Sequence, residues 1–171
     1  PGGKDEPNEN RSWAELSIAY LDQVVADHGP FYGILGYSQG VPMATVYIAN
    51  SNTTFPKAML FNGYLPTTHS GLNDTINEAA PLNTDALIFG GEEDVFVFGV
   101  PELDGVYPNA TVLVSSTADH HLPYSDDETY ADVLAFFREI IDDVPEPVVI
   151  PEKDWMRTIE GTQEESHGHF I

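Results

Sequence analysis

Five-residue segments that are almost wholly apolar occur four times in this chain and alternate with segments of helical periodicity. Strands of this length and composition are typically buried on both faces, as in parallel sheets whose crossover connections are helices. The sequence therefore predicts an α/β protein with a mostly parallel sheet and helices on both of its faces. The predicted strands are residues 31–35, 57–61, 85–89 and 110–114.

Helices are predicted from their first residues and from their apolar faces. Capping-box patterns begin the first and the last helix, at Ser12 and at Ser125, since a glutamate follows three residues later in each. The four predicted helices are residues 12–28, 39–50, 72–79 and 125–142. The first is expected to bury Trp13, Leu16, Tyr20, Leu21, Val24 and Val25, and the last Tyr130, Val133, Leu134, Phe137 and Ile140.

The length of 171 residues is typical of one domain, and 42% hydrophobic residues suffice for a core. We expect that core to occupy residues 11–142. Residues 143–171 contain prolines followed by a polar stretch, which indicates a tail that lies on the surface or is disordered.

The charge balance limits the partners of the chain. There are 28 acidic and 6 basic residues, for a formal net charge of −22. Such a surface repels nucleic-acid backbones and anionic lipids, so neither is an expected partner. No apolar run approaches the ~20 residues that a membrane span requires. No signal peptide is recognised, although Pro1 is not a typical native start, and the expected location is the cytoplasm.

The pentapeptide Gly36–Gly40 has the pattern G-x-S-x-G and lies between a predicted strand and a predicted helix. In that context Ser38 occupies a sharp turn with a strained backbone, and we expect glycine to be required at both Gly36 and Gly40 to avoid collisions. The turn directs the Gln39 amide and the helix N-terminus toward the space above the serine, where an oxyanion can form. The alternative is a glycine-rich turn that contains a serine by chance.

A nucleophilic serine needs a histidine base and a carboxylate that orients it. In this architecture the acid follows the serine in sequence and the histidine follows the acid. Asp94 follows the third predicted strand, with Glu92 and Glu93 as rival acids. His120 and His121 follow the fourth strand. Such groups collect at the carboxyl ends of parallel strands. Spacing alone leaves open which carboxylate is the acid and which histidine is the base.

Three segments resemble the FSH-type serine hydrolases, which are α/β-hydrolases. Residues 29–40, GPFYGILGYSQG, resemble the family's GPFDGVLGFSQG turn around the nucleophile. Residues 91–97 are similar to its G-x-x-D-x-x-V acid loop, and residues 119–123 to its G-H-x-V-P histidine loop. The resemblance extends from about residue 11 to 141 and implies Ser38, Asp94 and His120 as the triad.

The chain departs from the family pattern in two places. Asp119 replaces the glycine before the histidine, so its carboxylate either stabilises the imidazolium or competes with Asp94. The family normally begins with strands that include an "LHG"-type loop, which supplies a second oxyanion amide, and this chain starts after them. The resemblance therefore implies a partial, N-terminally truncated sheet. The open edge of strand 31–35 is expected to be covered by a missing N-terminal segment or by a second copy of the chain.

The predicted function is carboxylic ester hydrolysis through an acyl-enzyme, with a small-molecule ester as substrate. Alternatives are an acyl-thioesterase with the same triad and a non-catalytic remnant that acts as a binding module. No cofactor and no metal are expected, and the tail histidines His167 and His169 are not interpreted as a metal site. The predicted walls of an apolar substrate pocket are Tyr37, Leu65, Phe96, Phe98 and Leu122.

Overall fold

A computed structural model describes residues 8–143, with side chains described to residue 141. The tail predicted for residues 143–171 lies outside the described residues apart from Asp143, so the domain boundary stays a prediction. The described helices are a 3-10 turn Arg11–Ala14, α1 Glu15–His28, α2 Gly40–Asn50, α3 Ser70–Ala79, α4 Gly99–Asp104 and α5 Tyr130–Asp143. The strands are β1 Gly33–Tyr37, β2 Lys57–Phe61, β3 Asp85–Gly91 and β4 Thr111–Ser115.

The four strands form one parallel sheet in the order β1-β2-β3-β4. The register aligns their carboxyl ends, because Tyr37 pairs with Phe61, and Phe61 with Phe89. The residues that follow the strands therefore meet along one edge of the sheet. The predicted α/β fold with a parallel sheet is confirmed.

Helices cover both faces of the sheet, as the apolar composition of the strands predicts. On one face, Ala58 and Leu60 of β2 belong to a core cluster with Val41 of α2 and Ile76 of α3. On the other face, Met59 and Phe61 belong to a cluster that α5 completes. Because β2 and β3 are central, both of their faces are buried, and this accounts for their unbroken apolar sequence.

The two outer strands differ from the prediction of strands buried on both faces. β1 begins two residues later than expected, and Leu35 within it is 58% exposed. In β4, Val112 and Val114 are each 38% exposed. Within the described sheet each outer strand pairs with one neighbour only, so these strands carry apolar side chains that no described layer covers.

The predicted burial of α1 is wrong, since no residue of this helix is buried. Leu16 is 89% exposed and Tyr20 is 70% exposed. The Ser12 capping box is also wrong, because the side chain of Asn10 accepts the Ser12 amide hydrogen at 3.0 Å and α1 begins later, at Glu15. Helical periodicity identified the helix correctly, but burial requires a neighbour that the described residues do not supply.

The last helix begins at Tyr130 rather than at Ser125. The preceding acidic residues are used elsewhere: the Glu128 carboxylate accepts the Ser116 amide hydrogen at 2.8 Å, which replaces the predicted capping box. Phe136 is buried in this helix, whereas Phe137, predicted to be buried, is 44% exposed. The helix α4 was not predicted. Within residues 8–143, no helix combines the length and apolar character needed to cross a membrane.

Candidate active site

Ser38 lies at the turn between β1, which ends at Tyr37, and α2, which begins at Gly40. Its φ of 52° is in the left-handed region, where a serine backbone is strained. Two hydrogen bonds hold it there: the Ser38 amide donates to the Phe61 carbonyl at 2.9 Å, and the Val41 amide donates to the Ser38 carbonyl at 3.0 Å. These bonds fix the Ser38 backbone at the carboxyl end of β1.

The two glycines of the turn are not equivalent. A Cβ atom at Gly36 would lie 2.8 Å from the Gly40 carbonyl oxygen and 2.9 Å from the Val41 Cα. Apart from its chain neighbours and the backbone of its own helix, a Cβ atom at Gly40 would meet no atom of the described residues within 4 Å. The steric requirement that we predicted for both positions therefore holds for Gly36 alone.

The structure brings Ser38, His120 and Asp94 together in one chain of hydrogen bonds. The His120 Nε2 atom lies 2.8 Å from Ser38 Oγ, and His120 Nδ1 lies 2.9 Å from Asp94 Oδ2. Asp94 is 2% exposed, whereas the His120 side chain is 34% exposed. The arrangement can move a proton from the serine to the imidazole while a buried carboxylate fixes the ring.

The rival residues occupy other places. Glu92 and Glu93 are exposed. The His121 ring stacks on Tyr124, and its Nδ1 lies 2.8 Å from the Leu122 carbonyl oxygen.

Asp119 does not compete with Asp94 for the imidazole. Its Oδ1 accepts the backbone amide hydrogen of His120 at 2.7 Å. Both ring nitrogens of His120 are already engaged, by Ser38 and by Asp94. The departure from the family glycine thus places a hydrogen-bond acceptor on the backbone of the histidine loop.

The hydrogen bonds around Asp94 favour its ionised form. Burial by itself would raise its pKa, but donors from His120, from the Phe96 amide and from Asn62 outweigh burial and lower the pKa below its usual value. The Phe96 amide donates to Oδ1 at 2.9 Å, and Asn62 Nδ2 donates to Oδ2 at 2.8 Å. A carboxylate that stays charged keeps an attractive partner beside the imidazolium.

Asn62 is a site residue that the sequence analysis missed. It directly follows β2, is 1% exposed, and has a φ of 51°. The signal in the sequence is the Asn62-Gly63 pair that directly follows the predicted strand 57–61. Asparagine tolerates the left-handed region better than most residues, and that preference was the available clue.

Aromatic side chains line one side of the histidine. The Phe96 ring centroid lies 5.3 Å from that of His120, and Tyr64, which was not predicted, stacks on Phe96 at 4.9 Å. The Phe98 ring centroid lies 6.2 Å from that of Phe96. We call Tyr64, Phe96 and Phe98 the aromatic cluster. Phe96 is the member of this cluster that contacts the base.

The other predicted pocket residues fall in different environments. The Tyr37 hydroxyl donates to the His120 carbonyl at 2.7 Å, and its ring lies 5.2 Å from the imidazole. Leu122 is 45% exposed. Leu65 is 7% exposed and belongs to the core cluster that contains Leu60, so its assignment as a pocket wall is corrected to core.

No group of three or more potential metal ligands was found in residues 8–143. The tail histidines His167 and His169 lie outside the described residues.

Solved structures of similar shape are α/β-hydrolases. The crystal structure of esterase PE8 matches with a TM-score of 0.58 and 20% identity, and covers 74% of this chain and 59% of the other. A serine hydrolase of the polyaromatic-hydrocarbon-degrading bacterium Cycloclasticus zankles matches with a TM-score of 0.55 and 12% identity, and covers 84% and 76%. At these identities the likeness supports the fold.

Sequence comparison adds the family. Esterase FUS5 of Gibberella fujikuroi is 28% identical over 133 residues, which are 75% of this chain and 56% of that protein. Esterase FPY3 of Fusarium mangiferae is 26% identical over 140 residues, which are 73% and 63%. The chain thus spans somewhat more than half the length of these relatives. A family model described as serine hydrolase (FSH1) matches residues 2–131. On the match to that model over most of its length, this chain belongs to the FSH1 serine hydrolase family.

Proposed function

We propose that this chain hydrolyses carboxylic esters through an acyl-enzyme on Ser38. The observation that carries the proposal is the unbroken chain of hydrogen bonds from Ser38 Oγ through His120 to the buried Asp94, at 2.8 Å and 2.9 Å. The two sequence relatives are named esterases, which supports the same class of reaction.

In the first half of the proposed reaction, Ser38 Oγ attacks the ester carbonyl carbon while its proton passes to His120 Nε2. The C–O bond to the alcohol then breaks, and His120 returns the proton to the departing alkoxide. Asp94 keeps the ring in the tautomer that carries hydrogen on Nδ1, and its lowered pKa keeps it charged while the imidazolium exists.

In the second half, water attacks the acyl carbon and gives its proton to His120, and the acid leaves as Ser38 regains its hydrogen. Negative charge develops on the carbonyl oxygen in both halves. We assign one oxyanion donor, the Gln39 amide, since Gln39 is the cap residue directly before α2. A single missing donor costs about 3 kcal/mol of transition-state stabilisation, so turnover depends strongly on a second donor.

The surroundings of the site favour an ester with an apolar or aromatic group. Phe96 lies against one side of His120 and the rest of the aromatic cluster packs on Phe96, while Leu122 adds an exposed apolar side chain in the histidine loop. Flat or aliphatic groups gain free energy by covering such rings. We therefore place the apolar part of the substrate against Phe96 and Phe98.

A fluorophosphonate probe and a p-nitrophenyl ester test the proposal directly. We expect the probe to label Ser38, and Ser38→Ala to abolish both labelling and turnover. His120→Ala should do the same, whereas the matched His121→Ala variant should retain turnover because His121 contacts Tyr124 and Leu122. A folded chain that neither labels nor turns over the ester would refute the proposal and favour the binding-module alternative.

A further inference from the structure

The ends of β1 and β2 repeat the same backbone step. Ser38 and Asn62 follow the paired residues Tyr37 and Phe61, and their φ values are 52° and 51°. Among residues 8–143 they are the two non-glycine residues with positive φ. The Asn62 amide donates to the Phe89 carbonyl at 2.8 Å, just as the Ser38 amide donates to Phe61. A strained asparagine beside the nucleophile therefore requires an explanation.

The orientation of the Asn62 carboxamide is fixed by its neighbours. Its Nδ2 lies 2.8 Å from Asp94 Oδ2 and 3.0 Å from the Asp119 carbonyl oxygen. Both atoms are acceptors, so the amino group must face them, and the opposite orientation would set an oxygen against two oxygens. Both hydrogens of the amino group are thus used at the site.

The carbonyl oxygen of the Asn62 carboxamide destabilises the folded chain. Asn62 Oδ1 is buried and has no hydrogen-bond partner in the described structure. A residue that only filled this space would gain by being apolar, because a buried acceptor without a partner is destabilising. The polar side chain is retained although half of it is unsatisfied, which points to the two bonds made by the amino group.

We propose that Asn62 is a positioning residue, which holds the Asp94 carboxylate and the histidine loop in register with Ser38. One hydrogen bond reaches the same Asp94 oxygen that accepts His120 Nδ1. The other reaches the carbonyl of Asp119, the residue directly before His120. The side chain of Asn62, which follows β2, thereby links the acid, which follows β3, to the base, which follows β4. This inference rests on the proposed function, and its test separates the two.

Two variants test the amino group without straining the backbone. Asn62→Asp has nearly the same shape and tolerates the same φ, but it replaces the donor with an acceptor that faces two oxygens. Asn62→Gly also tolerates the φ and removes the carboxamide without adding charge. We expect either variant to lower kcat for a p-nitrophenyl ester about 100-fold with little change in KM, since misplacement of a catalytic group costs about that much. Parental kcat in the folded Asp variant would overturn the proposal.

A stability control separates positioning from general loosening. Tyr107→Phe removes a buried hydrogen bond to Thr45 at 3.2 Å, away from the site. We expect it to lower the melting temperature without lowering kcat. If Tyr107→Phe lowered kcat as much as the Asn62 variants at equal loss of melting temperature, Asn62 would be merely structural.

Nitrogen NMR of the histidine-labelled 171-residue chain gives a readout that does not require ester turnover. In the parent, His120 should show one protonated Nδ1 that is hydrogen-bonded to Asp94, with a downfield proton resonance. We expect both Asn62 variants to weaken or broaden that signal. If the parent shows the signal and the variants lose it while no ester is hydrolysed, the proposed function fails and the positioning role stands. An unchanged signal in both variants refutes the positioning role.

Discussion

Substitution of Gly36 or Gly40 by alanine provides a sharp test of the structure, because these glycines share one motif but differ in their surroundings. At Gly36 the added methyl group would lie 2.8 Å from the Gly40 carbonyl oxygen and 2.9 Å from both the Gly40 carbonyl carbon and the Val41 Cα. All three are backbone atoms, so no side-chain rotation can relieve the contact. Either β1 or the start of α2 must move.

The magnitude follows from the kind of contact. Overpacking that displaces backbone costs about 1–3 kcal/mol, a large part of the roughly 5–15 kcal/mol that stabilises a domain. For a domain of this size, about 2 kcal/mol corresponds to a fall in melting temperature of roughly 6–10 °C. At Gly40, the first residue of α2, the methyl group enters open space. Alanine there should be neutral or stabilise by about 0.5 kcal/mol through the unfolded chain.

Thermal denaturation and the rate of fluorophosphonate labelling measure the two consequences. We expect Gly36→Ala to melt well below the parent and to label slowly, since the displaced turn carries Ser38. Gly40→Ala should melt at or slightly above the parent temperature. Equal melting temperatures for the two variants, or a lower one for Gly40→Ala, would refute the reasoning.

Three further predictions concern the acid, its titration and the sheet edge. Asp94→Asn should lower ester turnover by about 10⁴-fold by stabilising the wrong tautomer of His120, whereas exposed Glu93→Gln should leave turnover unchanged; loss of turnover in the Gln variant would reassign the acid. Because the pKa of Asp94 is lowered in the folded chain, its contribution to stability is present above about pH 4 and is lost as the pH falls through the folded value. The urea midpoint of the parent should therefore fall more steeply below about pH 4 than that of Asp94→Asn, and parallel curves would contradict this. Finally, we expect the 171-residue chain to self-associate through β1, where Leu35 is 58% exposed. Leu35→Lys should shift sedimentation toward monomer, whereas the control Val112→Lys on the opposite edge should not. A parent that sediments as a monomer at all concentrations would disprove self-association through β1.

The architecture was predictable because its signals are local. Apolar five-residue segments that alternate with helical periodicity predicted the parallel sheet and its helical layers, and the strand ends differ by about two residues at most. The position of Ser38 was predictable for the same reason, since a strand, five residues and a helix suffice to define the turn. The order of acid and histidine along the chain narrowed the candidates without choosing among them.

The burial of individual side chains was less predictable, since it depends on which other element packs against them. Leu16 lies on the expected apolar face of α1 and is 89% exposed, whereas Leu65 lies in the connection between β2 and α3 and is 7% exposed. The first residues of α1 and α5 also depend on contacts that the local sequence does not show. At α5, the Glu128 carboxylate accepts the Ser116 amide hydrogen instead of capping the helix.

The site itself was decided by tertiary structure. His120 and Ser38 are 82 residues apart in sequence and 2.8 Å apart in space, and Asn62 reaches Asp94 across 32 residues. Spacing along the chain could not distinguish Asp94 from its acidic neighbours or reveal Asn62 at all. The register of the parallel strands determines which side chains meet at their carboxyl ends. That register is set by hydrogen bonds between strands that are distant in sequence, so spacing along the chain does not reveal it.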